Sequence, residues 1–170
     1  DLMLLLAMPT DQDCLNETLC ILRNNIEVFT ATEEDAKVPA PGRKKPVLVG
    51  QVGLRCVYCR CQDSKDRTKR HTCFPTSMKR IYRSIMDMKL DHFKDCPDVS
   101  AGLKARLEEL DGGKQKRGNS TIVSYVVNTA KMMGIMDRTG GIHIDLRRVG
   151  RPITPPLPPP SQPKSGIVPQ

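Results

Sequence analysis

Residues 78–96 read MKRIYRSIMDMKLDHFKDC, and the reading of this stretch decides the fold. Met78, Ile81, Tyr82, Ile85 and Met88 recur at the 3.6-residue period of an amphipathic helix. Thr76 or Ser77 offers an N-cap after Pro75, and Pro97 stops the run. The spacing predicts one long helix from the cap to about residue 93. His92 and Cys96 carry the apolar stripe onward, and residues i and i+4 share a helix face. Both side chains should therefore point where the core lies. Upstream, Cys56-Val57-Tyr58-Cys59 is a Cys-x-x-Cys, a spacing that brings two thiolates to one ion from a tight knuckle. Short β candidates, residues 47–49 and 52–55, lead into it and are broken by Gly50 and Gly53.

Cys56, Cys59, His92 and Cys96 together make a closed set of three thiols and one imidazole, the composition of a structural tetrahedral Zn2+ site. Soft thiolates favour zinc over magnesium or calcium. Four protein ligands leave no position for a reactive water. No nucleophile beside a base and no phosphate-cradling glycine loop accompanies them, so the expectation is a non-catalytic protein. A redox Cys-x-x-Cys is the competing reading, but the polar, basic residues after Cys59 lack helical periodicity and the usual βαβ context. Cys61 follows Cys59 too closely to join the same ion neatly. His71 and Cys73 stay open as a substitute pair or half of a second site, with the simpler expectation that Cys73 faces the core beside Phe74 and His71 belongs to a basic loop.

Working outward, Leu15, Leu19, Leu22 and Ile26 form a helical stripe after N-cap candidates Thr10, Asp11 and Asp13. Residues 26–30 are rich in β-branched and aromatic types and can turn extended. Cys14 and Cys20, six apart, are poorly spaced as ligands and read as buried packing residues. Residues 100–110 and 121–133 read as further helices, with Gly134 closing the second. Residues 142–146 read as a short strand. The last twenty residues hold 8 of the 14 prolines, a composition that favours polyproline II and cannot build a core.

Charge is distributed unevenly. The chain has 170 residues and a formal charge of +8. Residues 1–42 carry 2 basic and 8 acidic side chains, whereas residues 43–83 carry 12 basic and 2 acidic ones. The basic block surrounds the cysteine pair. Arg43, Lys44, Lys45, Arg60, Lys69, Arg70, Lys79, Arg80 and Arg83 are the candidate nucleic-acid contacts, by neutralising phosphates and releasing counterions. Asn and Gln are sparse here, which argues against base reading. Tyr58 and Phe74 can stack on bases but fit a core role better. The alternative partner is a protein: Pro155, Pro156, Leu157 and Pro158 resemble a WW-domain ligand. The 7 cysteines, odd in number and unevenly placed, point to an intracellular reducing compartment, the nucleus included. No run of about 18 apolar residues suggests a membrane span.

The motifs also carry a resemblance. GQVGLRC at 50–56, VYC at 57–59, CFP at 73–75, Ile81-Tyr82 and MKLDHFKDC at 88–96 resemble an uncharacterised Cys/His module abundant in diatom and related algal genomes. IEVFTATEEDA at 26–36, PGRKKPV at 41–47, NST at 119–121 and GIHI at 141–144 are similar too. The resemblance spans roughly residues 8–146. It implies Cys56, Cys59, His92 and Cys96 as ligands and implies no known activity.

The expectation is thus an α+β fold: a small zinc-stabilised domain with a β-knuckle followed by a ligand-bearing helix, flanked by more helices. It divides into an N-terminal extension at 1–8, a domain at 9–148 with its metal module at about 47–97, and a Pro-rich tail at 149–170.

Overall fold

The computed structural model of the chain describes residues 3–38, 43–60, 70–112 and 120–149. Helix and antiparallel sheet are mixed, an α+β arrangement. Strands β1 (Met3–Leu5), β2 (Ile26–Thr30), β3 (Val52–Cys56) and β4 (Thr72–Cys73) form one sheet in chain order. Ile26 pairs with Cys56 and Val28 with Leu54, while Glu27 pairs with Arg55 and Phe29 with Gly53. Side chains alternate along a strand. One face therefore carries Ile26, Val28, Leu54 and Cys56, all buried in the main core. The other carries Glu27, Phe29, Gly53 and Arg55. Gly53 is required there: a Cβ would lie 2.7 Å from ring carbons of both Phe29 and Phe74.

Met3–Leu5, within the stretch expected as an extension, supplies the edge strand. Met3 pairs with Phe29 and Leu5 with Glu27, the Leu6 N–H donates to the Ile26 carbonyl at 2.9 Å, and Leu6 is buried in the core. The physical reason is that the apolar opening run finds an unpaired strand edge on β2.

Helix α1 (Asp11–Cys14) and α2 (Glu17–Asn24) follow β1. The Asn16 side chain caps α2 by accepting from the Leu19 N–H. Leu19 and Leu22 are buried as the stripe predicts, but Cys14 is exposed and Cys20 half-buried, so neither thiol is a core packing residue. The helix breaks at Asn24-Asn25 and Ile26 opens β2. After α3 (Glu33–Lys37), begun by a Thr32 capping box, residues 47–49 form a turn rather than a strand. Val47 is buried while Leu48 and Val49 face outward, and Gly50 takes a φ of +80°.

The stretch at 78–93 is helical throughout but in three geometries, and a turn at 94–95 carries the chain to Cys96. A 3-10 turn (Met78–Arg80) leads into α4 (Ile81–Met88), which widens into a π-helical turn (Lys89–Phe93). Met78, Ile81, Ile85, Met88, His92 and Cys96 are all buried. Two successive steps of four, from Met88 to His92 to Cys96, would drift by about 40° each on an ideal α-helix. A wider turn absorbs that drift and keeps the last two on the core side.

Helix α5 (Ala101–Asp111) is capped by Ser100, and α6 (Ser120–Met132) ends at Gly134, whose φ is +80°. A second small sheet then pairs β5 (Ile135–Arg138) with β6 (Gly141–Ile144). Among the described residues no helix is long and apolar enough to cross a membrane.

Candidate metal centre

The site forms where β3 ends against the π-helical turn. Cys56 is the last residue of β3, and Val57–Cys59 is a single 3-10 turn. The turn is held from several sides. The Cys56 N–H donates to the His71 carbonyl at 2.9 Å and the Val57 N–H to the Asn25 carbonyl at 3.1 Å. The Tyr58 hydroxyl donates to Asn25 Oδ1 at 2.7 Å, and its ring is exposed rather than part of the core. From the other side, the Cys96 N–H donates to the His92 carbonyl at 2.8 Å, fixing the two helical residues one turn apart. The Phe93 ring meets the His92 ring edge-on, centroids 5.6 Å apart.

Cys56, Cys59, His92 and Cys96 converge as the spacing predicts. One ligand atom from each lies within 4.8 Å of the other three, and all four residues are buried. Cys59 is the hub: its Sγ is 3.5 Å from His92 Nε2 and 3.7 Å from Cys96 Sγ. The cysteines are free thiols, since a disulfide would bring sulfurs to about 2.05 Å. Two sulfurs on a tetrahedral ion with bonds of about 2.3 Å stand about 3.8 Å apart, and a sulfur and an imidazole nitrogen about 3.6 Å. The observed separations match both.

Burial sets the chemistry of these thiols. It pushes the Cys56 thiol up to about 11, against a smaller downward pull from the Tyr58 backbone N–H. Burial raises Cys59 further, helped by the neighbouring Cys56 sulfur. Without a cation Cys56 and Cys59 stay protonated in their buried setting. A divalent ion reverses that balance, because a coordinating thiol is deprotonated outright. The arrangement can therefore hold a soft cation in a closed, dry shell.

The neighbouring candidates stand apart from this cluster. Cys73 is half-buried with its Sγ 3.6 Å from Met88 Sδ, and burial pushes its thiol up to about 12. The half-buried His71 ring lies 6.5 Å from that of His92, centroid to centroid. Cys61 lies outside the described residues.

The basic block is partly neutralised within the fold. Arg60 pairs with the buried Glu27. Arg70 pairs with Asp91 at 2.7 Å and Asp87 at 3.5 Å, and Arg83 with Asp87 at 3.0 Å. Arg43 donates to the Phe74 carbonyl at 3.1 Å and lies over the Phe74 ring. Phe74 itself is half-buried against Phe29. Lys44, Lys45, Lys79 and Arg80 are exposed, with no ion pair recorded among the described residues. Lys69 and the Pro155, Pro156, Leu157, Pro158 motif lie outside the described residues. Of these pairings only Arg83 with Asp87, an i,i+4 pair, was readable from spacing. Glu27 and Asn25 were missed. The signal available was alternation: Glu27 sits between Ile26 and Val28 in a run otherwise suited to a strand.

No family model, curated protein or solved structure matches the chain, so the resemblance to the algal Cys/His module rests on the residues quoted for it.

Proposed function

We propose that the chain is a non-catalytic module that binds one structural Zn2+ through Cys56, Cys59, His92 and Cys96, and that its basic surface contacts nucleic acid. The observation that carries the metal is the set of four buried soft donors within 4.8 Å of one another. Zinc would join the strand-end turn to the π-helical turn, so its binding free energy is also folding free energy. The three cysteines would act as thiolates and the histidine as a neutral imidazole. With every donor supplied by protein, the ion's role is to hold two segments together.

The nucleic-acid contact is narrower than the charge count suggests. Arg60, Arg70 and Arg83 already face carboxylates. The contact falls to Lys44, Lys45, Lys79 and Arg80, with Arg43 held on Phe74 beside them. Four charges without base-reading amides suit sequence-independent phosphate contact. The test is retention of the full zinc-loaded chain on duplex and single-stranded DNA across a salt series. Binding should weaken steeply with salt, and Lys79→Glu with Arg80→Glu should reduce it. Binding that ignores salt, or none at low salt, contradicts the nucleic-acid part and leaves the metal part standing.

A further inference from the structure

The two cysteines of the turn are flanked symmetrically: the sequence reads Arg55-Cys56-Val57-Tyr58-Cys59-Arg60. Both arginines reach the same carboxylate. Glu27, the second residue of β2, has a side chain 1% exposed. Arg55 Nε donates to Glu27 Oε1 at 2.7 Å. Arg60 Nε donates to Oε2 at 3.0 Å, and Arg60 Nη2 also reaches Oε2. Both carboxylate oxygens are thus engaged, one by the residue before Cys56 and one by the residue after Cys59.

We propose that Glu27 is a positioning residue of the metal site, a single buried carboxylate that clamps both ends of the Cys-x-x-Cys turn. The inference rests on the metal reading above. A buried carboxylate facing arginines is a poor device for stability, because apolar residues of similar volume often serve as well. Its placement has a different consequence. The clamp fixes the backbone at residues 55 and 60, and the two thiol ligands lie between those points. Asn25, two residues earlier, holds Val57 and Tyr58. The opening of β2 therefore secures residues 55, 57, 58 and 60. Arg55 is further pinned over the Phe29 ring, 4.4 Å from its centroid. Glu27 is not one of the four clustered donors. It acts through its neighbours, as groups that orient metal ligands do.

The sign of the effect separates positioning from plain electrostatics. Removing the Glu27 charge leaves two arginines beside a thiolate-rich site. If charge alone mattered, Glu27→Gln would favour thiolates and tighten metal binding. If the clamp matters, the variant binds more weakly. The experiment measures zinc affinity of the full chain by chelator competition, and the cobalt-substituted absorption spectrum, for wild type, Glu27→Gln and Arg60→Gln. Thr32→Ala, on the exposed cap of α3 beyond the end of the sheet opposite Cys56, serves as a stability control. Glu27→Gln should lose roughly 10- to 100-fold in zinc affinity with altered cobalt bands, Arg60→Gln should lose less in the same direction, and Thr32→Ala should change neither. Because the Arg60 side chain is 44% exposed, that variant keeps the test open if Glu27→Gln does not fold. Equal or tighter zinc binding in both variants overturns the clamp. A wild-type chain that takes up neither zinc nor cobalt overturns the metal reading instead.

Discussion

Asp11 and Glu27 are both buried carboxylates paired with arginine, yet they serve their surroundings differently. Asp11 belongs to a network of side chains from three helices. Arg23, fully buried, donates from Nε to Asp11 Oδ2 at 2.8 Å and from Nη2 to Thr129 Oγ1 at 3.1 Å. Tyr125 donates to Asp11 Oδ1 at 2.8 Å, and burial pushes its hydroxyl up to about 12. This joins α1, α2 and α6 through protein groups alone, and only Arg23 Nη1 and the Gln51 amide nitrogen are buried without a partner among the described residues. Glu27 holds arginines that reach toward solvent, beside a turn whose Cys56 and Cys59 thiols are raised by burial. One region joins three helices through protein groups, and the other gathers four buried donors that could hold a metal ion. The account expects only the second to respond to metal.

The sharpest way to break this comparison is Cys59→Ser. Cys59 touches both His92 and Cys96, so its loss should abolish zinc uptake. The expected destabilisation is about 4 kcal/mol or more when free metal exceeds its Kd a thousandfold, read by denaturant unfolding with and without a chelator. Chelator should have no further effect on the variant.

Arg23→Ala tests the other region. Removing one partner of a buried pair strands the Asp11 charge, at a cost of about 3–5 kcal/mol. Zinc affinity of the folded variant should equal that of wild type, since the network shares no residue with the cluster. A joint loss of stability and metal affinity would erase the distinction.

The pH dependence should invert between the two metal states. In metal-free protein the Cys56 thiol is raised above its ordinary value to about 11. That contribution is fully present below about pH 9 and is lost as pH rises through the folded value, on the order of 2 kcal/mol. The metal-bound form should behave oppositely, weakening as pH falls because protons compete for the thiolates. Paired unfolding series, with zinc and with chelator, read the two slopes directly.

A smaller effect concerns the clamp's side of the sheet. Gly53→Ala would set a Cβ 2.7 Å from both Phe29 and Phe74 rings. Crowding of this kind costs about 1–3 kcal/mol, visible as a lowered Tm whether or not metal is present.

How legible the molecule was in its sequence follows the same division. The four donors could be read because two local patterns, a Cys-x-x-Cys and a helical stripe running into His92 and Cys96, point at one place. The helix at 78–93 was readable too, but not its π-helical turn, since the need for a wider turn arises only once the last two side chains must share a target. Glu27, Arg23 and the edge strand β1 were not readable for a common reason. Their partners are distant in sequence: Arg55 and Arg60 for Glu27, Thr129 for Arg23, β2 for β1. No period in the chain encodes such pairings. The charge count of the basic block was visible, but its partners Glu27 for Arg60 and Asp87 and Asp91 for Arg70 are distant in sequence and were not. Cys14 and Cys20 lie on helical segments near the core, and composition alone did not show that both sit toward the outer side.

The central claim is that the cluster of Cys56, Cys59, His92 and Cys96 holds one zinc ion. The most direct measurement is native mass spectrometry of the full chain, purified under reducing conditions, combined with elemental analysis. The account predicts one zinc per chain, lost on chelation with a fall in unfolding stability and absent from Cys59→Ser. A well-folded chain that carries no zinc, takes up none, and unfolds identically with and without chelator would contradict it.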